Sequence, residues 1–211
     1  MKLVMRFLLY CIGLLVLAFG VAFSVNSNLG VSPVNSLPYV VSLIVNVELG
    51  TCVIAVFSCY ILVQILIKRK NFQWINLTQL IFSTIFGYFV NFAKSVLGGF
   101  CLPTYFGQLV MLVISIILVA MGVALYMDAK MVNMPMEGMT LAISECFPNK
   151  QFHQIKIMVD CASVGVGIVL SLLCLHGLFG IREGTIISAL CVGKILPMIK
   201  KWLQPFTSKF L

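Results

Sequence analysis

Residues 18–42 read AFGVAFSVNSNLGVSPVNSLPYVVS, and residues 120–144 read AMGVALYMDAKMVNMPMEGMTLAIS. Laid over one another without a gap at an offset of 102, they share six identities in 25 positions: Ala18/Ala120, Gly20/Gly122, Val21/Val123, Ala22/Ala124, Pro33/Pro135 and Ser42/Ser144. Residue character follows the same register, with Asn26 on Asp128, Leu37 on Met139 and Asn35 on Glu137. A later pairing, at an offset of 106, brings Gly87 onto Gly193. Self-similarity on this scale reads as two copies of one unit, about residues 1–100 and 101–211, within a single integral membrane domain.

Composition supplies the solvent for that unit. Of the 211 residues, 61% are hydrophobic and 9% charged, and the mean hydropathy is +1.11, whereas an average soluble domain is roughly a quarter charged. Six acidic residues cannot solvate such a surface, which excludes a soluble enzyme. A membrane span needs about 20 apolar residues, so the chain has no room for an extramembrane domain. The net charge of +8 comes from basic residues between or beyond the apolar runs, where lipid phosphate rather than nucleic acid is the expected partner. Eight cysteines form no CxxC pair and read as small apolar packing residues. Lys2 and Arg6 precede an uncharged run from Phe7 to Val25, longer than the roughly 7–15 residues of a signal-peptide core. That run is expected to be a retained span, because the same segment recurs inside the chain.

Six stretches, about 7–25, 52–67, 77–93, 107–127, 157–175 and 184–199, have the length and character of spans. Two more, about 34–47 and 135–146, are shorter, open with proline and follow polar runs, as broken or re-entrant helices do. If both are re-entrant and the N-terminus is cytoplasmic, eleven basic residues fall inside (Lys2, Arg6, Lys68, Arg69, Lys70, Lys130, Lys150, Lys156, Lys200, Lys201 and Lys209) against Lys94 and Arg182 outside. If both cross fully, the count is eight inside against five outside. The positive-inside rule selects the first arrangement. Three crossings per copy make the copies antiparallel. The expected fold is therefore an all-α polytopic membrane protein of two inverted repeats, each three transmembrane helices plus one short Pro-led re-entrant or broken helix.

Irregular backbone at membrane depth survives only where protein or a water-filled cavity covers it, so the two Pro-led segments are the natural site. Pro33 and Pro135 suit a first helical turn, where a missing N–H costs nothing. The helix N-termini they open favour an anionic or zwitterionic ligand, with Ser32, Asn35 and Ser36 from one copy and Asn133, Glu137 and Gly138 from the other. Glu137 is a carboxylate where the first copy has only Asn35, and a desolvated carboxylate can load and release a proton. The other reading makes these segments Pro-kinked packing corners. Asp160 follows Lys156 at i, i+4 spacing and either marks a pathway or neutralises that lysine. Lys194 is either a counter-charge to Glu137 or a snorkelling interfacial lysine. Arg182, with Glu183, Gly184 and Thr185, opens the last span and either holds an anion at the outer mouth or ends the helix at the interface.

Met127, Met131, Met134, Met136 and Met139 cluster within thirteen residues. Thioethers suit Cu(I), but no Cys or His pair accompanies them and methionine is also an adaptable packer, so no metal and no cofactor is expected. His153 and His176 are expected on loops at opposite faces, and HExxH, P-loop and G-x-S-x-G motifs are absent. Enzymatic activity is not expected.

The run Leu29-Gly30-Val31-Ser32-Pro33-Val34-Asn35-Ser36-Leu37 with Ser42, the Arg182-Glu183-Gly184-Thr185 stretch followed by Gly193, and the lysine-to-aspartate start at Lys156–Asp160 resemble the YczE/YyaS/YitT family of bacterial integral membrane proteins. The family's run is Leu-Gly-x-x-Pro-x-Asp-x-Leu, and Asn35 stands where its members often carry an acid. The resemblance implies a bacterial plasma membrane protein, of a family whose members are regarded as transporters or as membrane proteins affecting neighbouring functions.

The leading expectation is a secondary transporter or exporter of a small polar molecule, anionic or zwitterionic, bound between the repeats. Both termini are expected in the cytoplasm, the partners being the bilayer and a small-molecule substrate, with a homo-oligomer compatible. The alternative is a non-transporting accessory or scaffold protein, for which Ala162, Ser163, Gly165 and Gly167 supply a small-residue contact face.

Overall fold

The computed structural model describes residues 2–69, 72–149 and 152–207, so Lys70, Lys150 and Lys209 of the basic count lie outside it. The described residues form eight α-helices: α1 (Lys2–Asn26), α2 (Pro33–Val45), α3 (Leu49–Lys68), α4 (Thr78–Leu97), α5 (Tyr105–Asp128), α6 (Pro135–Cys146), α7 (Phe152–Leu175) and α8 (Glu183–Thr207). A 3-10 turn, Trp74–Leu77, leads into α4. Long, short, long, long is thus written twice. Both short helices begin at the expected proline, and at 13 and 12 residues they reach only about 20 Å, against a hydrocarbon core of about 30 Å.

Five segments are long and apolar enough to cross a bilayer: Leu3–Asn26, Leu49–Lys68, Trp74–Leu97, Tyr105–Asp128 and Gln154–Leu175. The sixth expected span lies in α8, which is 25 residues long but carries Lys194, Lys200 and Lys201 as well as internal Pro197 and Pro205. His153 falls inside α7 rather than on a loop, and His176 follows that helix's last residue. The cysteines also differ from expectation. Cys52 is buried, whereas Cys59, Cys101, Cys146, Cys161 and Cys174 are exposed free thiols.

Two compact units divide the chain, and each draws on both sequence halves. One comprises residues 1–32, 89–131 and 179–211, and contains α1, the end of α4, α5 and α8. The other comprises residues 33–88 and 132–178, and contains α2, α3, the start of α4, α6 and α7.

In the first unit α1 and α5 pack along their length, and they do so where glycine removes the side chain. A methyl group on Gly20 would lie 2.8 Å from Val119 N, and one on Gly122 would lie 2.6 Å from Leu17 N. These two contacts exchange under the offset of 102, since Leu17 maps to Val119 and Gly20 to Gly122. A methyl on Gly13 would come within 2.7 Å of Tyr126 N, Tyr10 stacks edge-on against Tyr126, and Ser115 Oγ donates to Gly20 O at 2.7 Å. Residue numbers rise along α1 as they fall along α5, so the two helices run antiparallel. Lipid tails are as apolar as the side chains, and close packing of this kind must take the place of a hydrophobic drive.

The ends of these helices repeat as well. Asn26, the last residue of α1, donates through Nδ2 to Gly98 O and Phe100 O beyond α4. Asp128, the last of α5, lies 3.5 Å from Lys200 Nζ on α8, and Gly98 and Lys200 are 102 residues apart. Asn28 and Lys130, equally spaced, both turn through left-handed backbone, with φ 57° and 51°. The Gly87/Gly193 pairing has no such counterpart. A methyl on Gly87 would meet Gly50 O at 2.6 Å, while Gly193 faces open space.

In the second unit α2 and α6 each pack against both α3 and α7. The α3/α4 pair is antiparallel, with Gly50 beside Gly87, Phe57 stacked on Phe86 at 6.1 Å and Gln64 bonded to Gln79. Tyr60 on α3 meets Ser163 on α7 at 3.2 Å.

A methyl at Gly122 has backbone for its neighbour. Gly122→Ala is therefore expected to destabilise the folded protein in detergent by about 1–3 kcal/mol, the usual cost of overpacking. Gly165, with nothing within 4 Å, is the control, and Gly165→Ala should stay within about 1 kcal/mol of the parent. Thermal unfolding of both variants checks this.

Candidate functional site: the two proline-led helices

The segment that joins α1 to α2 is built mostly from its own polar groups and the start of α8, all in the first unit. Ser24 Oγ donates to Gly30 O at 3.0 Å, and Ser27 Oγ donates to Ser24 O at 2.7 Å while accepting from Leu29 N. Val31 N donates to Gly180 O at 2.9 Å, and Gly184 N donates to Leu29 O at 2.8 Å. The second bond uses one of the N–H groups that a helix start leaves without an internal partner. Thr185 Oγ1 reaches back to Arg182 N at 3.4 Å, as a third-position side chain does in a capping box. Gly30 takes φ +115°, and a methyl there would lie 2.6 Å from Thr185 Oγ1 and 2.9 Å from Arg182 N. A methyl on Gly184 would lie 2.5 Å from Leu29 O. The two glycines interlock.

Arg182 is exposed, donates from Nη1 to Asn28 O at 3.0 Å and pairs with Glu183 at 3.2 Å. Its guanidinium thus fastens the loop before α2, and the half-exposed pair with Glu183 adds little stability. Ser32, at the end of that loop, and Thr185, in the first turn of α8, are buried in the same unit.

The remaining expected residues, Pro33, Asn35, Ser36, Asn133, Pro135, Glu137, Gly138 and Asp160, belong to the second unit. The first turn of α2 is buried, with Asn35 only 2% exposed and Ser36 fully enclosed, its Oγ donating to Pro33 O at 2.8 Å. The first turn of α6 is also buried at Pro135, Met136 and Gly138, while Glu137 is half-buried and Asn133, ahead of the helix, is exposed. Asp160 is held by Lys156 at 2.6 Å, one turn away on the same helix. Lys194 lies in the other unit with an exposed side chain. Met134, Met136 and Met139 are buried around the start of α6, and among the described residues no cluster of His, Cys, Asp and Glu is arranged to hold a metal ion.

Two residues that sequence reading passes over lie at the start of α6. Gln64, 1% exposed, donates through Nε2 both to Pro135 O and to Gln79 Oε1, each at 3.0 Å. Gln79, 3% exposed, returns a longer bond to Gln64 Oε1 at 3.4 Å. Gly138 is a glycine because of this pair. A methyl there would fall 2.6 Å from Gln64 Oε1 and 2.9 Å from Gln79 Nε2. The signal in the sequence is a lone glutamine inside each of two apolar runs, expensive in a span unless paired. At the other end of α6, Glu145 pairs with Lys68 at 2.8 Å. Gln64 and Lys68 are one turn apart on α3, so both ends of α6 meet the same end of that helix.

Eight helices, several of membrane length, with two short buried helices between them, define a polytopic α-helical membrane protein. The chain belongs to DUF6198, a family of unknown function, whose profile matches residues 4–201. It is 27% identical over 145 residues to the uncharacterized membrane protein YczE of Bacillus subtilis (strain 168), a match covering 68% of this chain and 65% of YczE. It is 25% identical over 142 residues to the uncharacterized protein YyaS of the same organism, covering 67% of this chain and 69% of YyaS. No solved structure matches.

Gly30→Ala places a side chain in left-handed backbone and against main chain at once. It is expected to lower stability by about 1–3 kcal/mol. Thr185→Ala removes only a capping bond and should cost about 1 kcal/mol. Parallel thermal unfolding of the two variants tests the interlock.

Proposed function

We propose that this protein is a secondary transporter of a small zwitterionic or anionic molecule, built from two inverted repeats in the bacterial plasma membrane with both termini cytoplasmic. The observation that carries the reading is the pair of Pro-led helices in one compact unit, each lodged against α3 and α7, with Asn35 and Ser36 buried in the first turn of α2 and the half-buried Glu137 in that of α6. Helix starts present N–H groups without internal partners and a positive dipole end, the arrangement broken helices use to hold anionic groups at membrane depth. The two starts differ in charge. Asn35 and Ser36 leave the α2 start to the anionic end of a ligand, and Glu137 on α6 suits an ammonium or carries a coupling proton. Antiparallel α1 and α5 support the inverted repeat. The return of both ends of α6 to one end of α3 supports a re-entrant segment.

Topology is tested by single cysteines in a cysteine-free background. Glu48→Cys should be labelled from outside and Gln73→Cys from inside, and the reverse pattern would remove the inverted arrangement. Ligand recognition is tested by thermal unfolding against a panel of amino acids, betaines and small carboxylates, since a ligand at 100 times its Kd adds about 2.7 kcal/mol. A stabilising compound should also be taken up by proteoliposomes, and both effects should be lost in Asn35→Leu and Glu137→Gln but kept in Gly165→Ala. A panel without effect on stability or flux would defeat the proposal. It would then favour an accessory role, which the exposed Ile157, Met158, Val166, Val169 and Leu173 along α7 support as a partner face.

A further inference from the structure

In the first unit α5 and α8 lie side by side and run in the same direction, with Leu112 and Ile116 against Cys191 and Ile195 and, further along both helices, Asp128 beside Lys200. Between them runs an apolar groove with a volume of about 200 Å³. Leu112 and Ile116 are its floor, buried and packed with Leu29, while Val113, Ile117 and Ile187 on its rims are exposed. A hollow of about 150 Å³ with a wall of this kind stays dry and takes up small hydrocarbons, so the occupant is apolar where it meets the wall.

The repeat explains why the groove exists. At the offset of 102 the first copy has Phe7, Tyr10 and Phe89 where the lining has Leu109, Leu112 and Cys191, and it is smaller only at Cys11 and Ala93. The groove is also the wrong surface for another helix. Membrane helices meet through small residues, as α1 and α5 do at Gly20 and Gly122, and the lining contains no Gly, Ala, Ser or Thr. It runs from 109 to 117 on one helix and from 187 to 195 on the other, about 12 Å of rise against about 15 Å for the hydrocarbon of one leaflet. At the end nearest the α8 start stand Arg182 and Glu183, paired at 3.2 Å with side chains 50% and 43% exposed. Side by side, they offer a guanidinium to a phosphate and a carboxylate to an ammonium.

We propose that the groove binds one phospholipid with an ammonium headgroup, phosphatidylethanolamine. One acyl chain lies along Leu112, Ile116 and Cys191, the phosphate accepts from Arg182 and the ammonium donates to Glu183. The site uses no residue of α2 or α6 and holds whether or not the protein moves a substrate.

Native mass spectrometry of the full-length protein in detergent measures the retained lipid. Dioleoyl phosphatidylethanolamine should bind about threefold more tightly than dioleoyl phosphatidylglycerol, which lacks the ammonium, and about tenfold more tightly than dioleoylglycerol, which lacks the phosphate as well. Cys191→Phe restores the ring of the first copy and should weaken phosphatidylethanolamine about tenfold. Glu183→Gln should remove the preference over phosphatidylglycerol, and Gly165→Ala should change neither. Equal retention of phosphatidylethanolamine and phosphatidylglycerol by the parent overturns the assignment, and so does a Cys191→Phe protein that elutes folded and binds as the parent does. A second measurement introduces no ring. With Cys191 as the only cysteine, phosphatidylethanolamine at twice its Kd should slow reaction with N-ethylmaleimide about threefold and leave a protein bearing Cys161 alone, exposed on α7, unaffected. Equal slowing at both cysteines overturns the site. A disulfide between Cys191 of two copies, formed in high yield in vesicles, overturns it too, because a second copy would then cover the groove.

Discussion

Backbone that leaves the helical ladder where protein excludes water must find its hydrogen-bond partners within the protein, and before α2 and at the start of α6 this chain does so. Each interruption takes some of its partners from the other sequence half. The segment before α2, in the first half, is fastened by the start of α8, in the second. The first turn of α6, in the second half, rests on Gln64 and on Gln79 at the start of α4, in the first. Neither half satisfies its own break completely, since Ser24 and Ser27 bond part of the first while Gly180 and Gly184 complete it. The compact units therefore cut across the two sequence halves, and either half folded alone would leave part of its interrupted backbone without the partners it has here.

The same requirement explains where glycine is indispensable. Gly20 and Gly122 bring two membrane-length backbones together, Gly30 and Gly184 lock a loop to a helix start, and Gly138 seats a helix on two amides. In each case the neighbour is main chain or a bonded polar group, which cannot move aside as a flexible apolar side chain can. Gly165 and Gly193 have open space around them. They show that small residues in a span are not by themselves evidence of contact.

Much of the fold was legible because its signals are local. Proline marked the starts of α2 and α6 to the residue, and the offset of 102 that aligns Asn26 with Asp128 also aligns their partners, Gly98 and Lys200. The site was less legible, since its determinants are pairings between elements distant in sequence. Nothing near Gln64 or Gln79 distinguishes a bonded amide pair from two interruptions of apolar runs, because the partner atom, Pro135 O, lies 71 residues from Gln64. Arg182 posed the converse problem. Its position at a helix start fitted either an anion site or a helix end at the interface, and neither reading could name the contact it makes through Nη1 with Asn28 O, 154 residues away.

Divergence between the copies bears most directly on mechanism. At equivalent positions the first copy has Asn35 and Ser36 where the second has Glu137 and Gly138. The carboxylate is thus confined to one of the two helix starts. The replacement of Ser36 by glycine at the equivalent position fits the same division of labour. It seats the helix that bears the carboxylate on an amide pair, while the helix without one follows a segment held by main-chain bonds. An inverted repeat with identical halves would have to open equally readily on both sides. Here the carboxylate and the glycine that seats its helix on the Gln64–Gln79 pair fall in the same helical turn, so the two copies differ in charge and in packing at one place.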